Sequence, residues 1–256
     1  MRDADRIQAY IRTTAGRLKD VVPVPPFTAL IHPRNRLTYL SFAVPDGPLG
    51  GDLTEPLAAL VHVFRERDRT PRFEYVEAFA PELAPSLEDF GFRVELRTPL
   101  MVCDRMSART APAVPGLRIE RLRLDSPLDD VRTLITTGRN AFGVGEPASD
   151  EDAEEDRGRL DRDISILGHL DGEPAAVAHA MAPLDGLSEV GGIGTLTEFR
   201  ARGIAATMTS TISSLAFEAG AELVYLTPGD EGAFRVYERA GYRVAETMLF
   251  YSLATP

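Results

Sequence analysis

The 256-residue sequence predicts an α/β protein built on a mixed central sheet, in two tandem copies. Three observations predict it. Strand-like apolar runs alternate with runs of helical period through the second half. Asp-Gly pairs separate successive strand-like runs, where two-residue hairpin turns belong. An eight-residue segment also recurs at an offset of 150 residues.

Composition bounds the class. With 44% hydrophobic and 26% charged residues, the chain can bury a core, which argues against disorder. No apolar run follows Met1 to Arg6, and none anywhere approaches the ~18 residues of a membrane span. The expectation is a cytoplasmic protein with no membrane partner. A net charge of −11 disfavours nucleic acid, because phosphate neutralisation needs a basic surface. Cys103 is the sole cysteine, so there is no internal disulfide. In Pro99 to Cys103 it reads as a small buried hydrophobe with no base to activate it. His32, His62, His169 and His179 lack ligand spacing, so no metal is expected. The sequence leaves room for a homodimer.

The repeat places Leu87-Glu88-Asp89-Phe90-Gly91-Phe92-Arg93-Val94 over Tyr237-Glu238-Arg239-Ala240-Gly241-Tyr242-Arg243-Val244. Each copy reads as a short helix, a glycine for the left-handed cap and an aromatic opening a strand. The Pro-rich segment 111–116 reads as a linker, giving expected domains 1–110 and 117–256.

In the second half, Leu128 to Phe142 has helical spacing. Ser149 caps an acidic helix over Asp150 to Asp156. Strands follow at Ile164 to Leu170, Ala175 to Met181 and Ser188 to Leu196, turning at Asp171-Gly172 and Asp185-Gly186. A helix runs from Gly203 to Ala219, then a strand at Leu223 to Leu226, then an Asp230-capped helix through Ala240. Two final strands, through Val244 and through Met248 to Leu253, complete the order α-α-β-β-β-α-β-α-β-β.

The chemistry gathers at one strand–helix junction. A helix N-terminus presents unpaired N–H groups and about half a positive charge, so a glycine turn leading into it is a natural pyrophosphate cradle. Arg200-Ala201-Arg202-Gly203-Ile204-Ala205 meets that need, directly after the strand ending near Thr195. Upstream, Gly191, Gly192 and Gly194 suit a strand that bulges and admits a cofactor to its backbone.

This junction resembles motif A of the GCN5-related N-acetyltransferase (GNAT) family. Tyr237-Glu238-Arg239-Ala240-Gly241-Tyr242 resembles its motif B, and the likeness covers about residues 117–253. The resemblance implies the family's acyl-CoA N-acyltransferase sheet, acetyl-CoA as co-substrate, and direct transfer of acetyl to a primary amine of a small molecule or peptide. By position, Glu189 falls on the general base and Tyr237 on the acid that protonates the departing thiolate. An N–H near Thr195 would meet the oxyanion. The pantetheine arm would follow Ile193, Gly194 and Thr195, Arg200 would belong to the cofactor site, and the pyrophosphate would meet backbone N–H groups of Ala201, Arg202, Gly203, Ile204, Ala205 and Ala206. Asp230 stands where the family often has Asn, and Thr197 where it often has Pro. Tandem members often have one degenerate half. Here Leu87 stands opposite Tyr237, and Pro45 to Gly51 offers no Arg and carries Pro48, so one active site per chain is expected.

Alternatives stay open at this level. Tyr237 also reads as a helix aromatic packing on the sheet, Glu189 as an exposed strand-end carboxylate and Arg202 as a solvated charge. The acidic run 150–156 reads as a solvated face or as the border of a site for a cationic acceptor. His179 reads as a satisfied sheet residue or a second base. A non-catalytic acyl-CoA sensor is the rival to the enzyme. A dinucleotide-binding domain would want a third glycine at Thr197.

Overall fold

The computed structural model describes residues 2–17 and 19–254. They fall into two compact units: the chain up to Leu100 together with the chain from Ala245 on, and Met101–Val244.

The first unit opens with helix α1 (Asp3–Ala15) and an antiparallel meander of β1 (Asp20–Val24), β2 (Phe27–Ile31) and β3 (Phe42–Pro45). Helix α2 (Thr54–Glu66) crosses to β4 (Arg72–Val76), which pairs parallel with β3 at Ala43/Phe73. Helix α3 (Leu83–Phe90) and β5 (Arg93–Asp104) follow. The α2 residues Leu57, Leu60 and Phe64 share a core with Phe27, Phe73 and Phe92. Those three rings meet edge to face, Phe73 lying 5.1 Å from Phe27 and 5.6 Å from Phe92, the arrangement that aromatic quadrupoles favour.

The second unit contains β6 (Leu117–Leu122), α4 (Leu128–Ala141), α5 (Asp150–Arg157), β7 (Ile164–Leu170), β8 (Glu173–Ala180), β9 (Leu187–Thr195), α6 (Ile204–Glu218), β10 (Leu223–Leu226), α7 (Glu231–Arg239) and the start of β11 (Arg243–Ser252). Strands β6 to β9 pair antiparallel in turn, and β9 pairs parallel with β10. Alternation along the strands splits the core into two layers. Ile166, Ala178, Val190 and Val224 meet α6 through Ile204, Met208, Ile212 and Ala216. On the opposite face Leu167 and Val177 meet Val131 and Leu134 of α4 and Ala153 of α5. The acidic α5 starts where expected: Ser149 Oγ accepts from Asp152 N at 3.1 Å and the Asp152 carboxylate accepts from Ser149 N at 2.8 Å.

The repeat extends well beyond the eight matched residues. The order β1-β2-β3-α2-β4-α3-β5 recurs as β7-β8-β9-α6-β10-α7-β11, and α2 and α6, like β5 and β11, begin 150 residues apart. The last strands are exchanged, however. Met248 to Ser252 of β11 pairs with β4, and Met101 to Asp104 of β5 pairs with β10. Packing therefore divides the chain at Leu100 and Val244, not at the expected linker, because a strand belongs with the ladder that takes its hydrogen bonds.

Four further differences concern local structure. Segment 111–116 lies along α6: Ala111 N donates to Ser210 Oγ at 3.3 Å, and Thr207 Oγ1 to Pro112 O at 3.2 Å. The two expected final strands are one, since the polar run Ala245 to Thr247 changes the side chains without interrupting extended backbone. Strand β6, absent from the expected order, pairs with β7 over its whole length. Leu37 to Val44, whose apolar residues read as one strand in the sequence, is a 3-10 turn at Thr38–Leu40 followed by β3. Among the described residues, no helix is long and apolar enough to cross a membrane.

The repeat glycines take the left-handed conformation, φ being 109° at Gly91 and 100° at Gly241. Their surroundings differ. A Cβ at Gly91 would touch only Leu253 Cδ1 at 3.7 Å, whereas one at Gly241 would run into the Ser107 carbonyl. Gly91→Ala is expected to cost about 1–2 kcal/mol from backbone strain alone. Gly241→Ala should cost clearly more, because backbone must move. Urea unfolding of both variants checks the order.

Candidate active site

Strands β9 and β10 pair only as far as Glu189/Tyr225, yet β9 continues through Val190 to Thr195. Its edge there is open. A bulge accompanies the parting: His179 faces Gly191 and Val177 faces Gly194, so Gly192 and Ile193 together oppose Ala178. Gly192 has φ of 57°, and a Cβ on it would come within 2.7 Å of the His179 ring. Leu196 N donates to Ala175 O at 2.9 Å, which makes Thr195/Ala176 a pair of the non-hydrogen-bonded kind. The Thr195 N–H consequently points away from β8, toward the open edge.

Gly194 serves packing. A Cβ there would meet Ala141 Cβ at 2.8 Å and the Phe142 ring at 3.1 Å, so its bareness lets the end of α4 press onto β9.

Beyond Thr195 the chain makes a 3-10 turn at Thr197–Phe199 and enters the junction. The Arg200 guanidinium is bonded within the chain. Its Nε donates to Thr195 O at 3.0 Å and its Nη2 to Ala141 O at 3.0 Å, tying the loop to the end of β9 and to the C-terminus of α4, where a cation is favoured. Its role is to position the loop. Arg202 folds back likewise, with Nη2 on Glu198 O at 3.3 Å and its charge over the Phe199 ring.

The backbone between them is set up for an anion. Ala201 has φ of 61° and Gly203 φ of 84°, and no side chain caps α6. Among the described residues, the N–H groups of Ala201, Arg202, Gly203, Ile204, Ala205 and Ala206 have no acceptor. Successive N–H groups in alternating conformations at a helix start form an anion-binding concavity. Gly203 is required by its positive φ and not by crowding, since a Cβ would meet only Val114 at an ordinary 3.5 Å.

The corresponding start in the first unit is closed. Asp52 Oδ1 accepts from Thr54 N at 2.9 Å, Leu53 stands at the cap with φ of −99°, and Pro56 has no N–H. An internal carboxylate occupies the place of an external anion.

Tyr237 lies in the core layer of α6, 8% exposed, with its ring 6.0 Å from that of Tyr242. Burial first, and then the charge of Asp230, push its hydroxyl up to about 12. Among the described residues that hydroxyl has no hydrogen-bond partner. Asp230 itself is occupied as the cap of α7, accepting from Ala233 N at 2.7 Å. Asp230 is thus the expected cap of α7, and its charge adds to the rise at Tyr237.

Glu189 lies on the opposite face, because its neighbour Val190 faces α6. Tyr225 donates its hydroxyl to Glu189 Oε2 at 3.0 Å. Tyr225 was hidden in the sequence as one apolar residue of a buried strand, and only the parallel register brings it to Glu189. On the same face His179 Nδ1 and Ser165 Oγ are 2.8 Å apart. Burial holds His179 below its ordinary pKa, neutral at pH 7, with the charge of Arg159 adding to it and those of Asp156 and Asp163 opposing. The open edge of β9 thus lies between a carboxylate on one face and a phenol on the other.

Residues 166–251 match the family model for FR47-like proteins. A GCN5-related N-acetyltransferase from Kribbella flavida superimposes with a TM-score of 0.84 at 26% identity, covering 100% of this chain and 97% of that one. The chain has the fold of GNAT proteins. That likeness supports acyl transfer in general terms. A GNAT enzyme from Sphaerobacter thermophilus superimposes at 0.62 and 16% identity, covering 90% of this chain and 78% of that one. A tandem GNAT protein from the clavulanic acid pathway does so at 0.63 and 15%, covering 90% and 79%. No curated protein matches.

The raised pKa of Tyr237 has a measurable consequence. Its neutral form is favoured in the folded chain, so the stabilisation is complete below the ordinary value near 10 and is lost as pH rises through about 12. Between those limits wild type should lose up to about 2 kcal/mol more than Tyr237→Phe, read from denaturant midpoints at successive pH values.

Proposed function

We propose that this chain is a GNAT-family N-acetyltransferase that moves the acetyl group of acetyl-CoA to a primary amine of a small molecule or peptide, by direct attack in a ternary complex. The observation that carries this reading is the run of six acceptor-free N–H groups from Ala201 to Ala206, beside the open edge of β9. Such donors suit a pyrophosphate, and the edge from Ile193 to Thr195 suits the amides of a pantetheine arm.

Acetyl-CoA would supply the thioester carbonyl. The chain's own groups then divide the proton work. Glu189 takes a proton from the amine nitrogen, directly or through a water, while Tyr225 holds the carboxylate in place. The Thr195 N–H donates to the carbonyl oxygen as charge builds on it. The Tyr237 hydroxyl, protonated at every physiological pH, donates to the departing sulfur. The burial that raises the phenol raises a thiol leaving into the same surroundings, which keeps that transfer near balance. The first unit is a structural partner with a closed helix start.

Titration with acetyl-CoA tests the cradle. Gly203→Asp should lower affinity by about 100-fold or more, because aspartate tolerates the left-handed conformation and would itself accept from the free N–H groups. Thiol release over a panel of amines tests the chemistry. Glu189→Gln and Tyr237→Phe are each expected to lower kcat by about 100-fold with acetyl-CoA affinity unchanged. Binding without turnover on any amine would identify a sensor instead.

A further inference from the structure

Three glycines cluster on β9, and the structure accounts for two of them. Gly192 needs its positive φ and its closeness to His179, and Gly194 admits the end of α4. Gly191 has neither reason. Its φ lies outside the left-handed region, and a Cβ built on it would meet nothing within 4 Å. Backbone and packing would both accept a side chain, and the space is nevertheless clear.

That space is flanked by chemistry. Gly191 pairs directly with His179 across the β8–β9 ladder and follows Glu189 by two residues, so all three face the α4 side of the sheet. Tyr225 fixes the Glu189 carboxylate, and Ser165 engages Nδ1 of His179, which leaves Nε2 as the ring nitrogen available to a ligand. Farther along β9 the Phe142 ring, 61% exposed, overhangs Gly194 and supplies an apolar lip.

We infer that Gly191 floors the notch in which the acceptor's nucleophilic nitrogen is held, between Glu189 and His179, and that its missing side chain selects an unhindered primary amine on a methylene carbon. This rests on the acetyltransferase reading given above. The neutral imidazole presents no like charge to an incoming ammonium group. The apolar lip at Phe142 suits the carbon skeleton that carries the amine.

The test needs no knowledge of the natural acceptor. Gly191→Cys places a thiol in the notch, and acetyl-CoA is the probe. The new sulfur would bond to the acetyl carbon as the bond from that carbon to the CoA sulfur breaks. The thiol proton passes to Glu189, and CoA leaves as a thiol with the proton from Tyr237. The native Cys103 is buried and gives a low background. Gly50→Cys, at an exposed glycine of the first unit with nothing within 4 Å, is the control.

Peptide mass spectrometry should find one acetyl group at residue 191, gained at least about 10-fold faster than at residue 50. Glu189→Gln in the Gly191→Cys background should slow it about 10-fold. Equal rates at the two positions would overturn the inference while leaving acetyl-CoA binding intact. A wild-type titration with acetyl-CoA run in parallel separates the cases: no binding would overturn the acetyltransferase reading and this inference with it.

Discussion

Everything at the site depends on keeping the first turn of α6 unsatisfied. Helix starts are normally capped by a side chain, and in this chain α5 and α7 are, through Ser149 and Asp230. At α6 the cap position is Gly203 in a left-handed conformation, preceded by Ala201 in another. A non-glycine residue in that region costs on the order of 1 kcal/mol and must be held there by its surroundings. Arg200 supplies the hold, by tying the loop to the carbonyls of Thr195 and Ala141. One guanidinium thus fixes β9, the end of α4 and the anion cradle relative to one another.

The two copies of the repeat show what happens when the same helix start is closed. At α2 a carboxylate from Asp52 takes the donor that an external anion would need, and proline removes another. Both copies keep the helix–glycine–strand punctuation that packs the last helix against the sheet. Only one has first-turn N–H groups without an acceptor among the described residues and a phenol in the position of Tyr237. The exchanged last strands tie each unit to residues from the other half of the chain, a dependence that a sequence divided at a linker does not anticipate.

Much of this was legible from residue order. Asp-Gly turns marked the hairpins, Ser149 and Asp230 marked helix starts, and the strand–loop–helix around Gly203 marked the cradle, because each rests on local backbone chemistry that a few neighbouring residues decide. Spacing singled out Glu189 and Tyr237 as candidates. The partners that give them their properties were not legible. Tyr225 reaches Glu189 through a parallel register, and Ser165 reaches His179 across a ladder, and neither pairing leaves a mark in the local pattern.

The sequence by itself determined most elements of the second half, their punctuation and the duplication, since propensity, capping and turn geometry act over a handful of residues. Tertiary structure alone decided what the candidate residues do. It placed the Arg200 guanidinium on the carbonyls of Thr195 and Ala141, partners that lie on other elements. It also separated three glycines of one strand into a bulge, a packing contact and an open floor. Those distinctions depend on which atoms approach from other elements, and no stretch of β9 contains that information.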